Sequence, residues 1–242
     1  IKQTKDYFEF KHNGEIFTPL TLDCLFKQVS SKTLEERKVV IDDGEPVGQY
    51  GTGFITSHSF GKNISINSGL KKGDGYIKLD GFKINRDTSN WKELGRRIQS
   101  LKEQVSEILK TGAIEFNAPP KTSITYLTDE ERYRARVDIA IQSLPIIVPY
   151  VMALNPSLKK VTVKQIDGSV NEYLNSSSRS EDDLIVNEIN INGEPKEVFS
   201  INDSEKRFTI ILPLKSKNES FEFDEGLPRL FLFYPLIGTQ NF

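Results

Sequence analysis

Three glycines, Gly48, Gly51 and Gly53, stand at i, i+3 and i+5 directly before the amphipathic run Phe54-Ile55-Thr56-Ser57-His58-Ser59-Phe60. Glycine admits positive φ and lets another molecule come close to the backbone. At the opening of a helix such a run presents unpaired N–H groups to an anion, and the helix dipole adds to the attraction. The chemistry these residues suggest is therefore phosphate binding by main-chain donors. The competing reading is a tight strand-to-helix turn that holds no ligand, because short glycine patterns recur by chance.

The elements that must position this segment can be traced along the chain. Tyr7-Phe8-Glu9-Phe10-Lys11-His12 alternates aromatic and polar residues as a half-buried strand does, and runs into the turn signal Asn13-Gly14. Thr18-Pro19 has the form of an N-cap and first helical residue, with Leu22, Leu25, Phe26 and Val29 on the apolar face of a short helix. Ser30 to Pro46 is a long polar loop containing Ser31 and Lys32. Two strands, Ile64–Asn67 and Tyr76–Leu79, flank the turn Lys71-Lys72-Gly73-Asp74-Gly75. Leu94, Ile98, Leu101, Val105 and Ile108 mark an amphipathic helix from about Asn90 to Lys110. A further strand covers Lys121–Leu127.

Thr128-Asp129-Glu130-Glu131 reads as a capping box, opening a helix to about Leu154 that Pro145 and Pro149 should kink or divide. Beyond Asn155-Pro156 the chain turns strand-rich: Lys160–Lys164, Leu184–Ile191, Glu197–Ile201, Arg207–Leu214 and Leu230–Tyr234, with Asn192-Gly193 as a hairpin turn and Ser176–Asp183 as a loop. The expected division is 1–128, a connecting helix at 129–157, and 158–242.

Composition narrows the classes. A net charge of −2 gives no general electrostatic case for nucleic acid. Cys24 is the only cysteine, which excludes an internal disulfide and fits a reducing, cytoplasmic setting; it reads as a core residue. His12 and His58 are too far apart in sequence to suggest a zinc site. No apolar run approaches the ~20 residues of a membrane span. His58 and Trp91 are expected in structural roles, the latter in the core. The chain opens on Ile1 and stops soon after an apolar strand, which is expected of a piece of a longer polypeptide.

Taken in order, strand, His12-Asn13-Gly14-Glu15-Ile16-Phe17, short helix, polar loop with Ser30-Ser31-Lys32, and Gly48-Gln49-Tyr50-Gly51-Thr52-Gly53-Phe54 together resemble the GHKL ATPases, and within them the sacsin-like, chaperone-like branch. The resemblance implies an α+β protein: a partial Bergerat-type sandwich, with a mixed sheet and helices on one face, followed by a strand-rich transducer-like domain. It also implies that the backbone of Gln49 to Phe54 wraps a triphosphate and that Lys32 in the lid reaches the phosphates. The adenine-contacting position falls on His12, or on Asn13 if the turn is shifted by one, beside Gly14. A sheet threonine that completes the adenine site falls on Thr122, with Thr125 as the alternative.

What the resemblance implies functionally is an ATP-binding region in which nucleotide closes the lid and drives dimerisation or a domain movement, relayed through the 129–154 helix. ATP would be the ligand, a second copy and an unidentified protein client or effector the partners. In the family the catalytic Glu and the magnesium-binding Asn lie on a helix just before the strand at Tyr7, so no catalytic residue and no Mg²⁺ ligand falls within these residues. The alternative is a degenerate GHKL fold that binds or scaffolds without hydrolysis. A third reading is an unrelated α/β protein with a coincidental glycine turn.

Overall fold

The computed structural model describes residues 1–27, 57–181, 184–202 and 209–213. Gly48 to Phe54, Lys32 and the strand expected at Leu230–Tyr234 lie outside the described residues. The protein is α+β, and the chain divides into two units, Lys2–Val137 and Ile1 with Asp138–Phe242.

Among the described residues of the first unit, five strands lie in the order β1 (Lys2–Gln3), β2 (Tyr7–His12), β5 (Thr122–Leu127), β3 (Asn63–Lys72) and β4 (Gly75–Asn85). The four ladders that join them are antiparallel. Register puts Phe8, Tyr126, Ile64 and Ile84 in one row across the sheet, and Phe10, Ile124, Ile66 and Phe82 in the next on the same face. The alternate residues Glu9, Thr125, Ser65 and Lys83 form a polar row on the other face, as the period of two requires.

Among the described residues, two helices cover the apolar face. Helix α1 (Pro19–Lys27) starts where Thr18 accepts the Thr21 amide on its hydroxyl at 3.1 Å, with proline at the first helical position. It buries Leu22, Cys24 and Phe26, and the Phe26 ring stacks on Phe82 with centroids 5.8 Å apart. Helix α2 (Trp91–Thr111) is capped by Asn90, whose side chain accepts from the amides of Lys92 and Glu93, and it buries Leu101 and Val105. Gly112, just past its end, abuts Ile77, where a Cβ would lie 2.7 Å from the isoleucine. Both β strands of the β3–β4 hairpin extend well beyond the four residues expected of each, because the apolar alternation continues through Leu70 and Ile84.

Among the described residues of the second unit, five strands follow one another as an antiparallel meander: β6 (Lys160–Lys164), β7 (Val170–Glu181), β8 (Leu184–Ile191), β9 (Glu194–Asn202) and β10 (Thr209–Pro213). Asn192 (φ 53°) and Gly193 (φ 96°) both take the left-handed conformation that a two-residue hairpin turn demands. Ser176 to Glu181, expected as a loop, is strand. Its backbone pairs with the strongly β-forming β8 from Ser177↔Glu188 to Glu181↔Leu184, and this pairing outweighs the weak intrinsic preference of serine.

Helix α3 (Glu131–Leu154) runs unbroken through Pro145 and Pro149, so the expected division does not occur. The capping box is not formed as expected either: the Thr128 hydroxyl donates to the Lys5 carbonyl at 3.4 Å, and the helix begins three residues later. By length and composition α3 is the one described helix that could cross a membrane, a property the sequence reading missed because Asp138 and Gln142 interrupt the apolar run. Ile141, Val148, Tyr150, Met152 and Ala153 of this helix are buried within the protein.

Candidate functional site

The end of β2 is fixed by its pairing with β5, which places His12 directly opposite Thr122. Beyond His12 the chain leaves the ladder, passes the start of β5 and reaches β3, where Phe17 bridges Leu70 in parallel and its carbonyl accepts the Lys71 amide at 2.9 Å. Asn13 and Gly14 therefore lie in an exposed connection rather than in the sheet. A Cβ on Gly14 would meet the His12 Nδ1 at an ordinary 3.4 Å, so the backbone there imposes no demand for glycine.

Register separates the two alternatives that the sequence left open. His12 shares the helix-covered face with Thr122, whereas Thr125 pairs with Glu9 and Ser65 on the opposite face. Thr122 is buried, and its hydroxyl lies 2.7 Å from that of Ser68, which is also buried. Ser68 was not foreseen. The signal was present, since period two along Ile64-Ser65-Ile66-Asn67-Ser68-Gly69-Leu70 puts a lone hydroxyl among apolar neighbours.

Next to this polar row lies an apolar one whose cover thins toward β2. Ile66 and Phe82 are fully enclosed, Ile124 is half-buried, and Phe10 is 41% exposed. The Phe10 and His12 rings stand 5.7 Å apart on the same strand face. An exposed aromatic and an aliphatic side chain bordered by an imidazole make a shelf with a hydrogen-bonding edge. Such a surface suits a flat heterocycle whose rim carries donors and acceptors.

Burial lowers the His12 pKa from its ordinary value, so the ring is neutral near pH 7 and carries one donor and one acceptor nitrogen. His58 is pushed down further, to about 4, by burial and then by the neighbouring Arg86 cation. Close by, Phe60 packs on Phe8 and Tyr126 at 5.0 and 6.1 Å, and Tyr126 donates to Ser57 at 2.8 Å. These contacts fix the segment that emerges after the glycine-rich stretch onto the same face of the sheet.

The nearest ionisable cluster faces the other way. Glu9 accepts from Ser123 at 2.8 Å and pairs with Lys11 at 3.1 Å on the polar face. Burial works to raise the Glu9 pKa, but these two partners hold it below the usual carboxylate value. Its position on the far face keeps it away from His12 and Thr122. Among the described residues no group of His, Cys, Asp or Glu is arranged to hold a metal ion.

Trp91 departs from expectation. It stands at the first position of α2 and is 77% exposed, not part of the core. The apolar stripe of the helix begins one turn later, and the indole lies outside it. Cys24 is buried as expected. Compared with protein-family models, curated proteins and solved structures, the chain has no match.

Proposed function

We propose that the first unit is an ATP-binding region of GHKL type, in which the shelf on the helix-covered face receives the adenine. The observation that carries this reading is the register of β2 and β5, with His12 and Thr122 opposed on one face beside the half-open row of Phe10 and Ile124. The described residues fit the base end of the nucleotide. A neutral imidazole at His12 offers both kinds of hydrogen-bonding nitrogen to an adenine edge, while the enclosed Thr122–Ser68 hydroxyl pair ties β5 to β3 beside it.

The phosphates fall to the backbone of Gln49 to Phe54 and to Lys32, on the sequence argument alone. Mg²⁺ would neutralise the phosphates when bound, and no ligand for it is assigned in this chain. Lid closure around the nucleotide, with dimerisation or a domain movement relayed through α3, is the action that follows from this reading. Hydrolysis is not assigned to any residue here, so ATPase activity rests on the resemblance alone and nucleotide binding is what this chain is proposed to do.

Affinity for MgATP measured by calorimetry on the chain and on Gly51→Val and Gly53→Val tests the phosphate end. A Cβ branch at either glycine is expected to block close backbone approach and abolish binding. If both variants bind as the parent does, the cradle lies elsewhere.

A further inference from the structure

The outer face of α2 carries charge in an order that an isolated helix does not favour. Lys92, Arg96, Gln99, Ser100, Glu103 and Glu107 are all exposed, and their spacing keeps them on one side of the helix. Lys92 and Arg96 are like charges at i, i+4, as are Glu103 and Glu107, so each pair repels along the helix. Lys92 also stands in the first turn, where the helix dipole disfavours a cation. Glu93 and Lys110 do follow the dipole, but Glu93 is turned toward Arg97, with which it forms an ion pair. None of the four charges on this face has an ion-pair partner among the described residues, whereas Lys102 on the neighbouring flank pairs with Asp23 of α1 at 3.8 Å.

We infer that this face is a docking surface for a second copy of the same chain, with the two α2 helices antiparallel about a two-fold axis between Gln99 and Ser100. In that arrangement Lys92 meets Glu107 of the second copy, Arg96 meets Glu103, and Gln99 meets Ser100, each contact occurring twice. The pattern is self-complementary, as an isologous interface requires. It brings every like-charged pair against its opposite and sets the two helix dipoles antiparallel. A single helix pair buries less than about 1,200 Å², so the association is weak and concentration-dependent. The inference stands apart from the nucleotide reading and needs no ligand.

Sedimentation equilibrium of the chain without nucleotide tests it. The parent should associate reversibly to a dimer, less tightly as salt is raised, because the contacts are exposed ion pairs. Lys92→Glu with Arg96→Glu, and separately Glu103→Lys with Glu107→Lys, should each weaken the dimer roughly tenfold or more. Both variants change only exposed residues of α2, so both should fold. All four changes together should restore the dimer, because the swapped pattern is again self-complementary. A parent that stays monomeric at every concentration, double variants that dimerise like the parent, or a fourfold variant as weak as the double ones would each overturn the inference.

Discussion

His12 and Thr122 face each other as paired residues of β2 and β5, on the side of the sheet that α1 and α2 cover. This single pairing joins the turn after β2 to a strand more than a hundred residues later. It also excludes Thr125 from the same surface, because Thr125 pairs with Glu9 on the other face.

The Thr122–Ser68 pair should behave as one buried unit. Both side chains are enclosed and their oxygens lie 2.7 Å apart, so removing one hydroxyl leaves the other unsatisfied. Ser68→Ala and Thr122→Val should each lower unfolding free energy by about 1–3 kcal/mol. The double variant should lose less than the sum, and urea denaturation of all four proteins closes the cycle. Additive losses would show that the hydroxyls act independently.

Two glycines should respond in opposite directions. At Gly61 a Cβ would lie 2.4 Å from the backbone carbonyl oxygen of Leu127, an obstacle that no side-chain rotation removes. Gly61→Ala is expected to destabilise by about 1–3 kcal/mol. At Gly95, inside α2, a Cβ would have no neighbour within 4 Å, and alanine should stabilise by about 1 kcal/mol. Thermal unfolding of dilute samples reads both changes, and the same sign for the two would contradict the packing described.

Acid should weaken the first unit through His58. Its folded pKa, about 4, lies below the ordinary 6.5, so the unfolded chain binds the extra proton first as pH falls. The stability that His58 contributes is complete above pH 6.5 and is lost progressively toward about pH 4. The parent should therefore lose more stability between pH 7 and pH 5 than His58→Gln, as read from urea midpoints. Equal losses would mean that burial does not hold this imidazole neutral.

Most elements of the fold are legible where local pattern and tertiary context agree. Leu94 to Ile108 announces α2 by its period, Thr18-Pro19 announces α1 by its cap, and Asn192-Gly193 announces a hairpin by its backbone freedom. Ser176 to Glu181 misleads because a polar segment forms strand when an apolar neighbour supplies the ladder. Thr128 misleads because a hydroxyl that could cap α3 is engaged instead by Lys5, a contact 123 residues away in sequence. The site shows the same division. His12 and Thr122 could be named from their motifs, but which alternative shared a face depended on long-range register, and Ser68 stood out only once its neighbours were known to be buried. Trp91 misleads for a different reason: hydrophobicity argues for burial, while its position before the apolar stripe of α2 leaves it outside.

The central claim is that the helix-covered face at His12 receives the adenine of ATP. It is tested most directly by calorimetric titration of MgATP into the parent, His12→Ala and Thr125→Val. The parent should bind, His12→Ala should lose affinity roughly tenfold or more as hydrogen bonds to the base are removed, and Thr125→Val, changed on the opposite face, should bind like the parent. A parent that does not bind MgATP, or a His12→Ala variant that binds as tightly as Thr125→Val, would contradict the account.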